Sequence, residues 1–259
     1  MTAPIDQFAQ WLDLARLERR EVARLTEQAP GLTLADAYAV QAAGIALREQ
    51  AGERVVAWKM GLTSEGKRRQ MNLDAAVYGV LTDRMAVLAG QQMSLATAIH
   101  PKVEPEIVFR LCAPLRAGMT RQQALACVDG VAAGLEVLDS RYVGFKYFSL
   151  PDVVADNSSS FRFAIGPFAA IDALDVSDVA MTMQVDGQVV AEGRSREISG
   201  DPVLSLVQLA DLAALYGHVV PAGTIVLSGA ATPAFALAGP CHVVLQVAGL
   251  TPVQLAVVP

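Results

Sequence analysis

A chain of 259 residues is long enough to bury a full core as one large domain. Its 53% hydrophobic content and mean hydropathy of +0.37 imply elements covered by the rest of the fold or by partner subunits, which predicts a homo-oligomer. Lys and Arg total 20 against 26 Asp and Glu, a net charge of −6, and the longest basic cluster is Lys67-Arg68-Arg69, so nucleic-acid binding has no electrostatic support. Cys112, Cys127 and Cys241 lie in apolar surroundings without CxxC spacing and read as reduced core residues of a cytoplasmic protein, with no support for a zinc site. The opening residues lack a signal-peptide pattern and every apolar run is broken before membrane-spanning length, which predicts no export and no membrane partner.

Along the chain, Phe8, Trp11, Leu12 and Ala15 recur at helical spacing, followed by Val22 and Leu25 after a polar turn, until Pro30-Gly31 interrupts. Thr33 with Asp36 forms a capping-box pattern opening a helix through Ala35, Ala39, Val40 and Ala43 towards Arg48. Beyond Gly52 the character changes to short β-rich runs. These are Val55–Met60, Ile107–Leu111, Leu135–Leu138, Ala180–Val185, Val189–Glu192, Thr224–Leu227 and Val243–Val247. Asp186-Gly187 is a hairpin signal. Two further helices are expected, Thr120–Val131 and Pro202–Tyr216, the second amphipathic through Leu204, Val207, Leu209, Leu212 and Leu215. The fold class that follows is α+β: a helical region over residues 1–53, then a mixed β-rich catalytic domain over 54–259, the two forming one structural unit. Without regular βα alternation, GxGxxG or a P-loop, Rossmann, TIM-barrel and nucleotide readings are disfavoured.

Three acidic residues stand out within apolar runs: Glu104 and Glu106 in Val103–Phe109, and Glu136 in Gly134–Leu138. Unpaired carboxylates are costly to bury, so something must pair with them. In a strand, residues two apart share a face, so Glu104 and Glu106 can converge, and Glu136 from a neighbouring strand would complete an all-oxygen triad suited to Mg²⁺ or Mn²⁺. The alternative is the solvent face of an amphipathic strand. It is disfavoured because Val108 shares the parity of the two glutamates while Ile107 and Phe109 occupy the other face.

Several segments carry a resemblance. Lys59-Met60-Gly61-Leu62-Thr63-Ser64, Gln70-Met71, Tyr78-Gly79, Ile99 to Ile107, Glu136 to Tyr142 and Val154 to Ser159 occur in order from about Leu32 to the C-terminus. Together they resemble the 4-oxalocrotonate decarboxylase and 2-oxopent-4-enoate hydratase group of the fumarylacetoacetate hydrolase superfamily, which implies a β-rich body of that type. In the hydratases the pair before the glycine of Tyr78-Gly79 reads Asp-Phe, and its acid handles water and protons. Here it reads Val77-Tyr78, and Lys59-Met60, His100-Pro101-Lys102 and Asp139 to Tyr142 look like the decarboxylase pattern. Pro105 and Ala238-Gly239-Pro240 depart from the usual family residues without touching the acidic triad.

The resemblance implies a small keto diacid substrate, 2-oxohex-3-enedioate, whose 2-oxo acid end chelates a cation held by Glu104, Glu106 and Glu136. Loss of CO₂ from the far end would then yield 2-hydroxypenta-2,4-dienoate in meta-cleavage catabolism of aromatic compounds, with no organic cofactor. Lys59, whose charge is costly within the apolar run Val55–Met60, is the candidate catalytic group; an exposed edge-strand lysine is the alternative. Arg141 is a candidate for binding a substrate carboxylate, or for pairing with Asp139 or Asp156. Ser159 is a candidate substrate hydrogen-bonder or turn cap, and Tyr78 is placed at the substrate site by its motif. His100, fixed ahead of Pro101, is read as structural, and His218 and His242 as core or interface groups. Two other functions compete: 2-oxopent-4-enoate hydratase, and a non-catalytic partner subunit of such a hydratase, with which a complex is conceivable in either case. Intact Lys59 and all three glutamates argue against the non-catalytic reading.

Overall fold

A computed structural model describes residues 3–63, 75–146 and 149–259; Ser64, Gln70-Met71 and Lys67-Arg68-Arg69 lie outside the described residues. Helix α1 (Ile5–Glu18) buries Phe8, Ala9, Leu12 and Ala15 and stops where Arg19 turns left-handed, at φ 53°. That turn redirects the chain, so Val22 does not continue a helix but bridges to Tyr142, and α2 (Leu25–Gln28) is a single turn. Helix α3 (Leu34–Gln50) starts on the expected box: the Asp36 N–H donates to the Thr33 hydroxyl, and the Asp36 carboxylate accepts from the Thr33 N–H.

Two sheets follow. The eight-stranded sheet runs β2 (Val77–Thr82), β1 (Val55–Gly61), β10 (Ile225–Ala230), β4 (Lys102–Leu111), β5 (Val128–Leu138), β6 (Ser160–Ile165), with β11 (Phe235–Ala236) on β4 and β7 (Ala169–Ala170) on β5. The second sheet runs β3 (Gln92–Ser94), β13 (Val253–Val258), β12 (Cys241–Val247), β8 (Ala180–Val185), β9 (Gln188–Arg194). The β8–β9 hairpin turns on Asp186 and Gly187, whose φ values of 49° and 78° suit the primed turns that match strand twist. Strand β4 is covered on both faces. Val103, Ile107 and Phe109 join the main core, which also takes in Phe8, Leu12 and Tyr38 of the helices; Val108 packs on the other face with Ala57, Leu81, Met85, Phe163 and Leu227. Glu104 and Glu106 therefore point into the protein.

Several expectations are corrected. The helix expected over Thr120–Val131 ends early, as α4 (Arg121–Leu125), and Val128 to Val131 begin β5 because pairing with β4 outweighs the local helical pattern. Helix α6 (Pro202–Leu215), capped by Asp201, is apolar nearly all round. Its buried face is Val203, Leu206, Leu209, Ala210 and Ala213, while Leu204 and Leu215 are exposed. The wider stretch Ser195–Leu215 passes a length-and-hydropathy test for a membrane span, yet half of it is buried inside the protein. Its α-helix is only 14 residues, about 21 Å, against a hydrocarbon core of about 30 Å. All three cysteines are free thiols, but Cys112, just past the end of β4, is exposed and not core. His218 and His242 are likewise exposed; strand alternation in β12 sends Val243 and Leu245 inward and His242 outward.

Candidate metal centre

The β4–β5 pairing builds the centre. Its register sets Glu104 directly opposite Glu136 and Glu106 opposite Gly134, so the three carboxylates leave the same face of two adjacent strands. One oxygen from each lies within 4.8 Å of the others, and all three residues are buried, Glu106 and Glu136 completely. Burial, reinforced by the neighbouring carboxylates, raises the Glu106 pKa well above its usual range; Lys59 and the Gly229 N–H oppose the shift. Glu136 is raised chiefly by burial as well, against the pull of Lys59.

Lys59 reaches this cluster from β1. Its ammonium is 3% exposed, hydrogen-bonds Glu136 Oε2 at 3.2 Å and lies 3.1 Å from Oε1. Glu136 Oε1 has that ion pair but no hydrogen bond, and the fully buried Glu106 Oε1 has neither among the described residues. The partnerless Glu106 Oε1, converging with the carboxylates of Glu104 and Glu136, fits a hard divalent cation such as Mg²⁺ or Mn²⁺. Glu104, Glu106 and Glu136 would hold it.

Two glycines that the sequence reading gave no role make this geometry available. Gly79 stands opposite Lys59, and a Cβ there would meet Ser160 Oγ at 2.7 Å, the Asn157 carbonyl oxygen at 2.9 Å and Lys59 Cε at 3.1 Å. Gly229, at φ 107°, donates its N–H to Glu106 Oε2 at 2.8 Å, and a Cβ there would fall 2.3 Å from Thr63 Oγ1. A glycine in a strand interior often marks such close approaches.

The other named residues separate. Tyr78 pairs with Met60, so its ring leaves the face opposite Lys59 and stacks on Tyr38 at 4.5 Å and near Trp58 at 5.0 Å. Strand alternation thus takes Tyr78 away from the carboxylates and turns Val77 towards them. Val77 pairs with Gly61, and a Cβ on Gly61 would lie 3.1 Å from Val77 Cγ2 and 3.8 Å from Lys59 Nζ. Arg141 is tied to Asp156 through Nε and Nη2, and Nη1 donates to the carbonyls of Asp139 at 2.7 Å and Ser160 at 3.4 Å. It clamps the chain after β5 onto the segment after α5 (Leu150–Ala155). Burial raises the Asp156 pKa to about 6 despite Arg141. Ser159 ends a run of three left-handed residues, Asn157, Ser158 and Ser159, at φ 48°, 51° and 60°. The Asn157 amide grips both backbone groups of Val80, and the Ser158 hydroxyl donates to the Tyr78 carbonyl. Consecutive left-handed non-glycine residues cost about 1–2 kcal/mol each, and such strain gathers at functional sites. His100 has Nε2 2.7 Å from the Ser140 carbonyl oxygen, Nδ1 3.3 Å from Glu21 and its ring stacked on Phe145.

The model of the fumarylacetoacetate (FAA) hydrolase C-terminal family matches residues 53–258. A 4-oxalocrotonate decarboxylase from Pseudomonas sp. is 42% identical over 233 residues, covering 90% of each chain. A 2-hydroxyhexa-2,4-dienoate hydratase from Comamonas testosteroni is 36% identical over 233 residues, covering 88% of each. The solved structure of 4-oxalocrotonate decarboxylase from Pseudomonas putida G7, complexed with magnesium and adipate, superposes with a TM-score of 0.94 at 35% identity, over 98% of this chain and 97% of that one.

Proposed function

The chain belongs to the fumarylacetoacetate hydrolase family, and from that premise we propose that it is a divalent-cation-dependent carboxy-lyase acting on a small keto diacid of the 2-oxohex-3-enedioate type. The observation that carries this reading is the buried, converging triad of Glu104, Glu106 and Glu136 beside Lys59, with Glu106 Oε1 left without a partner among the described residues. A bound divalent cation supplies Lewis acidity to the 2-oxo acid end of the substrate. The three glutamates would hold that cation, on the face of the sheet where Val108, Leu227 and Phe163 also pack. The C5–C6 bond breaks and CO₂ leaves; its electron pair becomes the C4–C5 double bond, the C3–C4 pair moves to C2–C3, and the carbonyl pair goes to the oxygen on C2. Lys59 Nζ holds a proton next to that oxygen and gives it up to form 2-hydroxypenta-2,4-dienoate. Ser159, on its strained turn, is proposed to hydrogen-bond substrate, and Arg141 to position that turn through Asp156 and Ser160 without touching substrate.

Hydration is the second reading, since hydratases are among the relatives. The hydratase pattern carries an acid in the pair before Gly79, and here the residue of that pair on the Lys59 side is Val77, which offers only methyl groups. Decarboxylation is therefore preferred. The proposal extends to a homo-oligomer in the cytoplasm, able to associate with a paralogous hydratase. Residues 1–53 and 54–259 are taken as one unit, supported by Gln41 of α3, whose amide donates to the carbonyls of Tyr78 and Val154. The test is CO₂ release from 2-oxohex-3-enedioate by the purified protein with Mg²⁺, expected to stop when the cation is chelated; release unaffected by chelation would overturn it.

A further inference from the structure

We propose that Lys102 receives the carboxylate at the far end of the substrate and so selects diacids over monoacids, an inference that rests on the metal-end anchoring argued above. Lys102 is the first residue of β4, two before Glu104, and its partner Leu138 is two beyond Glu136, the partner of Glu104. Alternation places all of these on one face. Along the strand, Lys102 stands about 6.8 Å from Glu104. The two carboxyl carbons of an extended six-carbon diacid are separated by five zigzag bonds of about 1.5 Å, a span of about 6 Å. A long, flexible lysine covers the remaining difference.

The Lys102 ammonium is held without an anion. The residue is half-buried, its Nζ sits 4.2 Å from the centre of the Phe145 ring, and no carboxylate among the described residues pairs with it. Phe145 is itself fixed, left-handed at φ 52° and stacked on His100 at 5.3 Å between ring centres. Such a seat partly desolvates a cation and orients it while leaving its N–H donors for a ligand. Among the described residues, the other cations near the site are committed or face away. Lys59 is on Glu136, Arg141 is spent on Asp156, Asp139 and Ser160, and Arg162 pairs with Val137 on the opposite face.

Charge points the same way. Three glutamates are balanced by Lys59 and a divalent cation, so a dianionic substrate adds two negative charges; the end on the cation is ligated, and Lys102 meets the other. That carboxylate departs as neutral CO₂ while charge moves to the oxygen on C2. A cation on it therefore stabilises bound substrate more than the transition state, so the residue lowers KM and sets specificity, and its loss should not lower kcat.

The test compares 2-oxoadipate with 2-oxohexanoate, which differ only in the far carboxylate, by calorimetric titration of the Mg²⁺-loaded protein. The wild type should prefer the diacid, and Lys102→Met should weaken it about 10- to 100-fold, the scale of one charge-assisted contact. Affinity for 2-oxohexanoate and Mg²⁺ should stay within about threefold, with KM for the keto diacid raised and kcat unchanged or higher. Lys102→Arg should restore most of the preference, and Lys102→Gln serves if the methionine variant does not fold. Equal losses for both acids, or none, would overturn the proposal. Equal affinity of the wild type for the two acids would sink Lys102 alone, whereas Mg²⁺-independent binding of both would sink the metal-end reading with it.

Discussion

The Lys59 ammonium straddles the Glu136 carboxylate, 3.1 and 3.2 Å from its two oxygens, so the proposed proton donor is electrostatically bound to one of the three groups that would hold the cation. The pair is buried on both sides, which makes it costly to break and fixes the lysine beside the carboxylate triad.

Lys59→Met keeps an unbranched side chain in the same seat and removes the charge. Decarboxylation should fall by about 10² or more, the usual scale for one positioned proton-transfer or electrostatic group. Mg²⁺ affinity, measured alongside by calorimetry, should not fall, because a competing cation has been removed from Glu136. An unimpaired variant would return Lys59 to a structural role.

Glu106→Gln preserves shape, and the amide can still accept from the Gly229 N–H, but one of the three ligand charges is gone. Cation affinity and turnover should fall together while the circular dichroism spectrum is unchanged. Wild-type turnover at limiting Mg²⁺ would contradict the triad.

Gly79→Ala puts a methyl group 2.9 Å from the Asn157 carbonyl oxygen, a backbone atom that can move only with its strained turn. Overpacking of this kind costs about 1–3 kcal/mol, and the displaced Lys59 should lose turnover roughly tenfold or more. Urea denaturation and steady-state assay check both; a variant of wild-type stability and activity would show that the crowding around Lys59 is irrelevant.

How far the site could be read from sequence depended on what each signal encodes. Carboxylates in an apolar run declare their own need for a partner, so Glu104, Glu106 and Glu136 were legible, as was Lys59 for the same reason. Strand parity was legible too, but only where the register was known. With β2 not anticipated as a strand, nothing in the local pattern said that Tyr78 follows Met60 to the far face and that Val77 takes the near one. The helix expected over Thr120–Val131 failed because ten residues of β4 impose their pairing on β5. The wrong face was assigned to α6 because a helix apolar all round carries no record of which side is covered. Gly229 and Gly79 act through absent side chains, whose meaning appears only when the neighbours are in place.

Asp156 gives the pH dependence a sign. Its folded pKa, about 6, lies above the ordinary aspartate value of 3.8, so the folded state binds the proton more tightly than the unfolded chain does. The stability it contributes is fully present below about pH 4 and is lost as pH rises through about 6. The stability of the wild type minus that of Asp156→Asn, from denaturant curves, should therefore decline between pH 4 and 7, by on the order of 3 kcal/mol. A difference that rises over that window would mean that Arg141, not burial, sets the titration of Asp156.

The central claim, that this triad and lysine run decarboxylation in preference to hydration, is tested most directly by giving the wild-type protein 2-oxohex-3-enedioate and 2-hydroxypenta-2,4-dienoate in parallel under the same Mg²⁺. With Val77 offering no acid beside Lys59, CO₂ release should be fast and chelator-sensitive and hydration slow or absent. Hydration faster than CO₂ release would contradict the account.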